Sequence, residues 1–228
     1  MRTVAVILGL LLLSNPSRAA IEPPDDPRQV AVAISILNDR GASEKTKLEA
    51  LSFFTKTTNL TDSAFWTLLQ VAGAPAEKDE VRVTALVRLS GAISYILPED
   101  VERAENIVAL MSTDKFQKGM AAVGQAGLPE LRAKRLYFFG AATLNIPPAL
   151  SARLGPVFLP MLLSSLRKEK DPTAMNEGLW SLSRLLEIKA VSMDEIAPDL
   201  RRIASSDADA SIRDIAKKML SAGGALIN

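Results

Sequence analysis

Pro160, Asp171, Ala174, Gly178 and Leu182 are answered 38 residues later by Pro198, Asp209, Ile212, Ala216 and Leu220. One offset shared by five positions is the mark of stacked supersecondary units, and it constrains the fold more than any feature of composition. The unit is legible between Met193 and Leu220. There Ile196, Leu200 and Ile203 recur at helical spacing, and after an Asp-rich turn Ile212, Ile215 or Ala216, and Met219 or Leu220 do so again. Helices this short do not stand alone, and a pair of them still leaves an apolar side that only a neighbouring pair covers. A second regularity reaches further back. Twelve residues separate Ile34 from Thr46, Leu69 from Val81, Leu162 from Ala174 and Leu200 from Ile212, each step joining an apolar residue of one helix to the start of the next.

Asp79, Val81, Arg82, Ala85 and Leu89 present an acidic turn, an aliphatic-Arg pair, a small residue and a leucine, and Asp209, Ile212, Arg213, Ala216 and Leu220 present them again. Thr46, Lys47, Ala50 and Phe54 keep the spacing with other residue types, and Met175 stands where the arginine belongs in the fourth unit. This pattern resembles the HEAT-like family of α-helical repeats, here as an exported bacterial member. The resemblance implies an all-α fold, an α-solenoid of about five antiparallel helix pairs, with a period somewhat short for the family. It specifies a shape and leaves the activity open.

Along the chain, Asp26-Pro27 opens a helix with Val30, Ile34 and Leu37 on one face, and Ser43 caps a second with Leu48, Leu51 and Phe54. Thr61 or Asp62 starts a third, with Phe65, Leu68, Leu69 and Ala72 as its stripe, and the fourth runs from about Glu77 to Ile96. Pro98-Glu99-Asp100 opens a fifth, directing Val101, Ala104, Val108 and Met111 inward. The pattern then breaks. Residues 112–130, with three glycines and a proline, read as an irregular insertion, either an enlarged turn or an added helix about Phe116–Val123 that can move. The apolar helix 131–144 follows, then one over 149–167 that Gly155, Pro156 and Pro160 are expected to kink. The repeat domain is placed at 27–222, with a short tail at 223–228.

Arg2, the apolar run Val4–Leu13, the breakers Asn15-Pro16 and small residues up to Ala19 read as a secretory signal over residues 1–19, followed by an extended lead-in at 20–26. The run is about ten residues where a span needs about 20, so no transmembrane segment is expected after cleavage. With no cysteine in the chain, export points to a periplasmic or secreted protein held by packing alone. Charge is uneven: net −5 over residues 20–130, net +4 over 131–228, and −1 for the mature chain. That near-neutral balance, with export, disfavours nucleic acid as the partner.

Histidine is absent, which removes Ser-His and Cys-His catalysis and every His-bearing metal site. Gly119–Gly124 opens like a phosphate loop, but Gln125 stands where lysine is needed. Ser165 and Lys168 have nucleophile-pair spacing without its companion motifs. Asp207 with Asp209, and Glu99 with Asp100 and Glu102, sit where helix N-termini favour acids. No catalytic, cofactor-binding or metal-ligating set emerges. The candidate partner-binding residues are Arg132, Lys134, Arg135 and Tyr137, a basic and aromatic cluster on one helix, with Trp66 as an outlying aromatic. The reading is a non-catalytic interaction or scaffold module for a protein or peptide. The alternatives are anionic-ligand or nucleic-acid binding through the basic C-terminal half, and an enzyme working through carboxylates without a recognisable motif.

Overall fold

Short polar side chains start the helices at the places where the pattern puts them. In the computed structural model, which describes residues 26–55, 59–125, 127–206 and 209–221, Asp26 accepts from Arg28 N at 2.9 Å and sets Pro27 at the first position of α1 (Pro27–Asn38). Ser43, Thr61 and Asp100 cap α2 (Glu44–Leu51), α3 (Asp62–Gly73) and α5 (Val101–Met111) through backbone N–H groups. Asp171 does so for α10 (Pro172–Glu187), and Asp209 accepts from Ile212 N at the start of α12 (Ala210–Ser221). The remaining helices are α4 (Asp79–Ser94), α6 (Asp114–Gly124), α7 (Pro129–Ala141), α8 (Pro148–Ser151), α9 (Gly155–Leu166) and α11 (Met193–Ser206). The fold is all-α, with no strand among the described residues. The expected signal, the lead-in through residue 25, Asp207 and the tail at 223–228 lie outside those residues.

The helices pack in two successions. In one, α2 lies against α4, α4 against α7, α7 against α10 and α10 against α12; in the other, α1 meets α3, α3 meets α6 and α6 meets α9. Helices also pack in sequence order, α1 with α2, α3 with α4, α6 with α7 and α9 with α10, and α11, which stands in neither succession, packs on α12. Positions related by the 38-residue offset take equivalent places. Pro160 and Pro198 lie inside α9 and α11, and Gly178 and Ala216 are both buried on α10 and α12.

The largest departure from the sequence reading is at 112–130. The stretch read as an irregular insertion contains α6, which stands in the row between α3 and α9, while α5 belongs to neither row and packs on α6, α8 and the turn at 152–154. Thr113 caps α6, and Phe116, Met120 and Val123 are fully buried on it. The Phe116 ring lies within about 6 Å of Phe65, Phe138 and Phe158 (6.2, 5.9 and 6.0 Å between centroids), at the centre of the core. Glycine content misled the reading for a physical reason. A Cβ on Gly119 would lie 2.7 Å from Leu69 Cδ2, so the missing side chain lets α6 approach α3.

Two smaller differences follow from packing. Val101, expected inward, is 46% exposed, and Ile107 is buried on the α5 face instead. The helix expected over 149–167 is divided by a 3-10 turn at Ala152–Leu154, just ahead of Gly155, while Pro160 is accommodated inside α9. By length and composition, Pro148–Leu166 is apolar enough to cross a membrane. In this fold Phe158, Leu162 and Leu166 of the span are buried in the core.

Candidate functional site: a basic cleft between α6, α7 and α9

Helical geometry divides the basic and aromatic cluster of α7 into two faces. Residues three apart share a side, so Arg132 and Arg135 turn together toward the C-terminal ends of α6 and α9. Lys134 and Tyr137 turn toward α10, where Lys134 acts on the Glu177 carboxylate and Tyr137 stacks on Trp180 at 4.9 Å with the rings 15° from parallel. Trp66 belongs to a third place. It is half-buried on α3, edge-on to Phe65, with Lys115 Nζ 4.1 Å over its ring. The five candidates therefore do not form one surface.

The first face opens on a cleft of about 390 Å³. Ala121, Gly124 and Gln125 of the α6 end form one wall, Arg132, Arg135 and Leu136 the floor, and Ser164 through Lys170 the far side. Arg132 is matched within it. Its Nε and Nη2 donate to the two Glu169 oxygens at 2.9 and 3.1 Å, and Nη1 donates to Gly127 O at 3.0 Å. Burial pushes the Glu169 carboxyl up, but the bonds from Arg132 and from the Asp171 and Lys170 backbone more than offset it, leaving Glu169 below the ordinary value. Arg132 is correspondingly raised by its bond to Glu169.

Arg135 is the unusual member. It is 6% exposed, its Nε donates to Met120 O at 2.6 Å, its Nη1 donates to Ser165 Oγ at 2.5 Å, and no carboxylate among the described residues pairs with it. Burial alone lowers its pKa to about 10, so it remains a cation at neutral pH but carries its charge at a cost. Gly124 makes the space, since a Cβ there would fall 2.8 Å from Arg135 Cζ, and Phe139 flanks the guanidinium at 5.4 Å.

Comparison with the other helices sets this arginine apart. The spacing of Val81, Arg82, Ala85 and Leu89 recurs on α7 as Leu131, Arg132, Arg135 and Phe139, which places Arg135 where α2, α4, α10 and α12 bury Ala50, Ala85, Gly178 and Ala216. That spacing was present in the sequence. It was missed because residues 112–130 were read as an insertion, which left α7 without α6 as its pair. Lys168 and Lys170 complete the cleft; both are at its rim, one exposed on each side of the engaged Glu169.

The motifs set aside earlier find ordinary places. Ser165 Oγ donates to Met161 O and accepts from Arg135, so its hydroxyl is occupied. Asp100 and Asp209 are helix caps. Comparison with known protein families, with curated proteins and with solved structures finds no match for the chain.

Proposed function

We propose that the protein is an exported, non-catalytic interaction module: a HEAT-like α-solenoid of five antiparallel pairs, α1/α2, α3/α4, α6/α7, α9/α10 and α11/α12, acting in the periplasm or outside the cell. Its partner is a protein or peptide, and the α6–α7–α9 cleft receives an acidic segment of it. The observation that carries this reading is the uncompensated charge of the cleft, where Arg135, Lys168 and Lys170 face an opening whose single acid, Glu169, is engaged by Arg132. A long, shallow helical surface suits a chain segment better than a small substrate. The near-neutral charge of the mature chain argues against phosphate tracking along nucleic acid.

The test is capture of partners from an envelope extract by the mature chain and by a Lys168→Glu, Lys170→Glu double variant. A partner held by the first and lost by the second, at equal helicity, is the expected result. Equal capture by both would place the binding surface elsewhere, and no specific capture by either would remove the interaction reading.

A further inference from the structure

We propose that the cleft is a receptor for a single carboxylate, with Arg135 as its anchor and Lys168 and Lys170 as flexible rim charges. This deepens the interaction reading and rests on it for the identity of the carrier, a peptide chain. Three observations support it, the first being an inventory of donors. A guanidinium has five N–H groups. Those of Arg135 supply one bond to Met120 O and one to Ser165 Oγ, so three remain without an acceptor among the described residues. The residue lines the cleft.

The second observation is a comparison within the chain. Arg82 on α4 is buried to a similar degree and donates to Ala72 O, but it has Asp79 at 3.6 Å. A buried arginine whose role is to fasten helices is thus accompanied by an acid elsewhere in this fold, and Arg135 is not. A buried charge without a partner is costly, and four other helices fill the equivalent place with alanine or glycine. An anion supplied from outside provides the missing counter-charge.

The third is the match to ligand type. Arg135 is held by two bonds, in the space that Gly124 leaves and beside Phe139, so its remaining N–H groups, one on Nη1 and two on Nη2, lie in a fixed plane, and a guanidinium plane pairs well with a planar carboxylate. Arg132 is neutralised by Glu169, leaving one fixed positive charge for one monoanion. Ala121 beside it is exposed at the α6 end and offers apolar contact to the carbon bearing the carboxylate. A phosphate dianion would have only mobile lysines for its second charge.

The experiment uses the mature chain with N-acetyl-dialanine bearing a free carboxylate, the same dipeptide as its C-terminal amide, and inorganic phosphate. Binding is followed by amide chemical shifts and by the thermal midpoint. The free acid is expected to bind at least ten-fold tighter than the amide, to shift Gly124 and Arg135 signals, and to raise the midpoint. Arg135→Lys should lose about ten-fold in affinity for the acid, and Arg135→Met should abolish the midpoint increase while keeping the fold. Equal binding of acid and amide overturns the proposal, using wild-type protein alone. So does unchanged binding by a folded Arg135→Met variant. Phosphate binding tighter than the acid overturns the carboxylate assignment. Binding of the dipeptide without capture of any envelope partner would leave the receptor standing and remove only the wider interaction reading.

Discussion

Glycine residues in this chain mark contact as much as looseness, and Gly119 allows that to be measured. A Cβ added there would meet Leu69 at 2.7 Å from Cδ2 and 2.8 Å from Cγ, and Leu69 is 2% exposed with little room to retreat. Gly119→Ala is expected to cost about 1–3 kcal/mol in chemical denaturation. Combined with Leu69→Ala, it should cost clearly less than the sum of the two singles, because the second change empties the space that the first one needs. Additive costs would show that Gly119 does not set the distance between α3 and α6. Charge at single residues gives a second expectation. Burial raises the pKa of Glu177, against the smaller opposing effect of Lys134. A carboxyl raised by folding contributes stability below the ordinary carboxylate range and loses it as pH rises through the raised value. At pH 7 Glu177 is therefore unfavourable, and Glu177→Gln should raise the thermal midpoint there, with the gain disappearing below about pH 4. A gain that persists undiminished in acid would mean that the carboxylate charge is not its cause.

The turn after α10 shows how one element fixes another. Lys189 has φ 57°, Lys189 N donates to Leu186 O, and Ala190 N donates to Leu185 O, a helix end that usually calls for glycine. The same turn presses on the next helix in space, because a Cβ on Gly155 would lie 1.9 Å from Ala190 O. Backbone cannot yield as a side-chain tip does. Gly155→Ala is expected to cost more than the roughly 1–3 kcal/mol of ordinary overpacking, whereas Lys189→Gly should be neutral or stabilising by up to about 1 kcal/mol. Reversed signs in equilibrium unfolding would show that the turn is not held as described. These contacts also explain what was legible beforehand. Caps, apolar stripes and the 38-residue echo are written in neighbouring residues, so the starts of α1, α2, α3 and α5, the extent of α4 and the α11–α12 unit between Met193 and Leu220 were read close to those observed. Which helix partners α7 is decided by distant contacts of Phe116 and Gly119, and no local pattern separates a glycine that packs from one that loosens. The cleft stayed hidden for the same reason. Arg132 and Arg135 were singled out, but their partners Glu169, Met120 and Ser165 lie on other helices or turns.

Across the molecule, a charged pair ties each of three helix pairs to the next. Lys47 on α2 reaches Glu77 ahead of α4 at 2.5 Å, Arg132 on α7 reaches Glu169 ahead of α10, and Arg167 after α9 reaches Asp199 on α11 at 2.7 Å. The last of these ties the final pair, α11 and α12, to the rest. Asp199 is 5% exposed and accepts both Arg167 bonds, with Arg202 also 3.7 Å away, and these bonds hold its carboxyl below the ordinary range despite burial. A carboxyl depressed by folding contributes stability that is fully present above the ordinary carboxylate range and is lost as pH falls through the depressed value. Units that contact only their neighbours can then open one at a time. Acidification below about pH 4 is expected to expose the α11–α12 amides to hydrogen exchange before those of α3 and α4, since α3 packs on α4 and, through Phe65, Leu69 and Phe116, on α6 by apolar contacts that do not titrate. Asp199→Asn should bring the same early exchange to neutral pH and remove most of its dependence on acid. If α11–α12 and α3–α4 lose protection together at every pH, the chain unfolds as one body and Asp199 is not what couples its last pair to the stack. If they separate but Asp199→Asn changes nothing, the coupling runs through the apolar seam of α10 and α12, where Ala216 is buried, and Ala216→Leu becomes the variant that should release the pair.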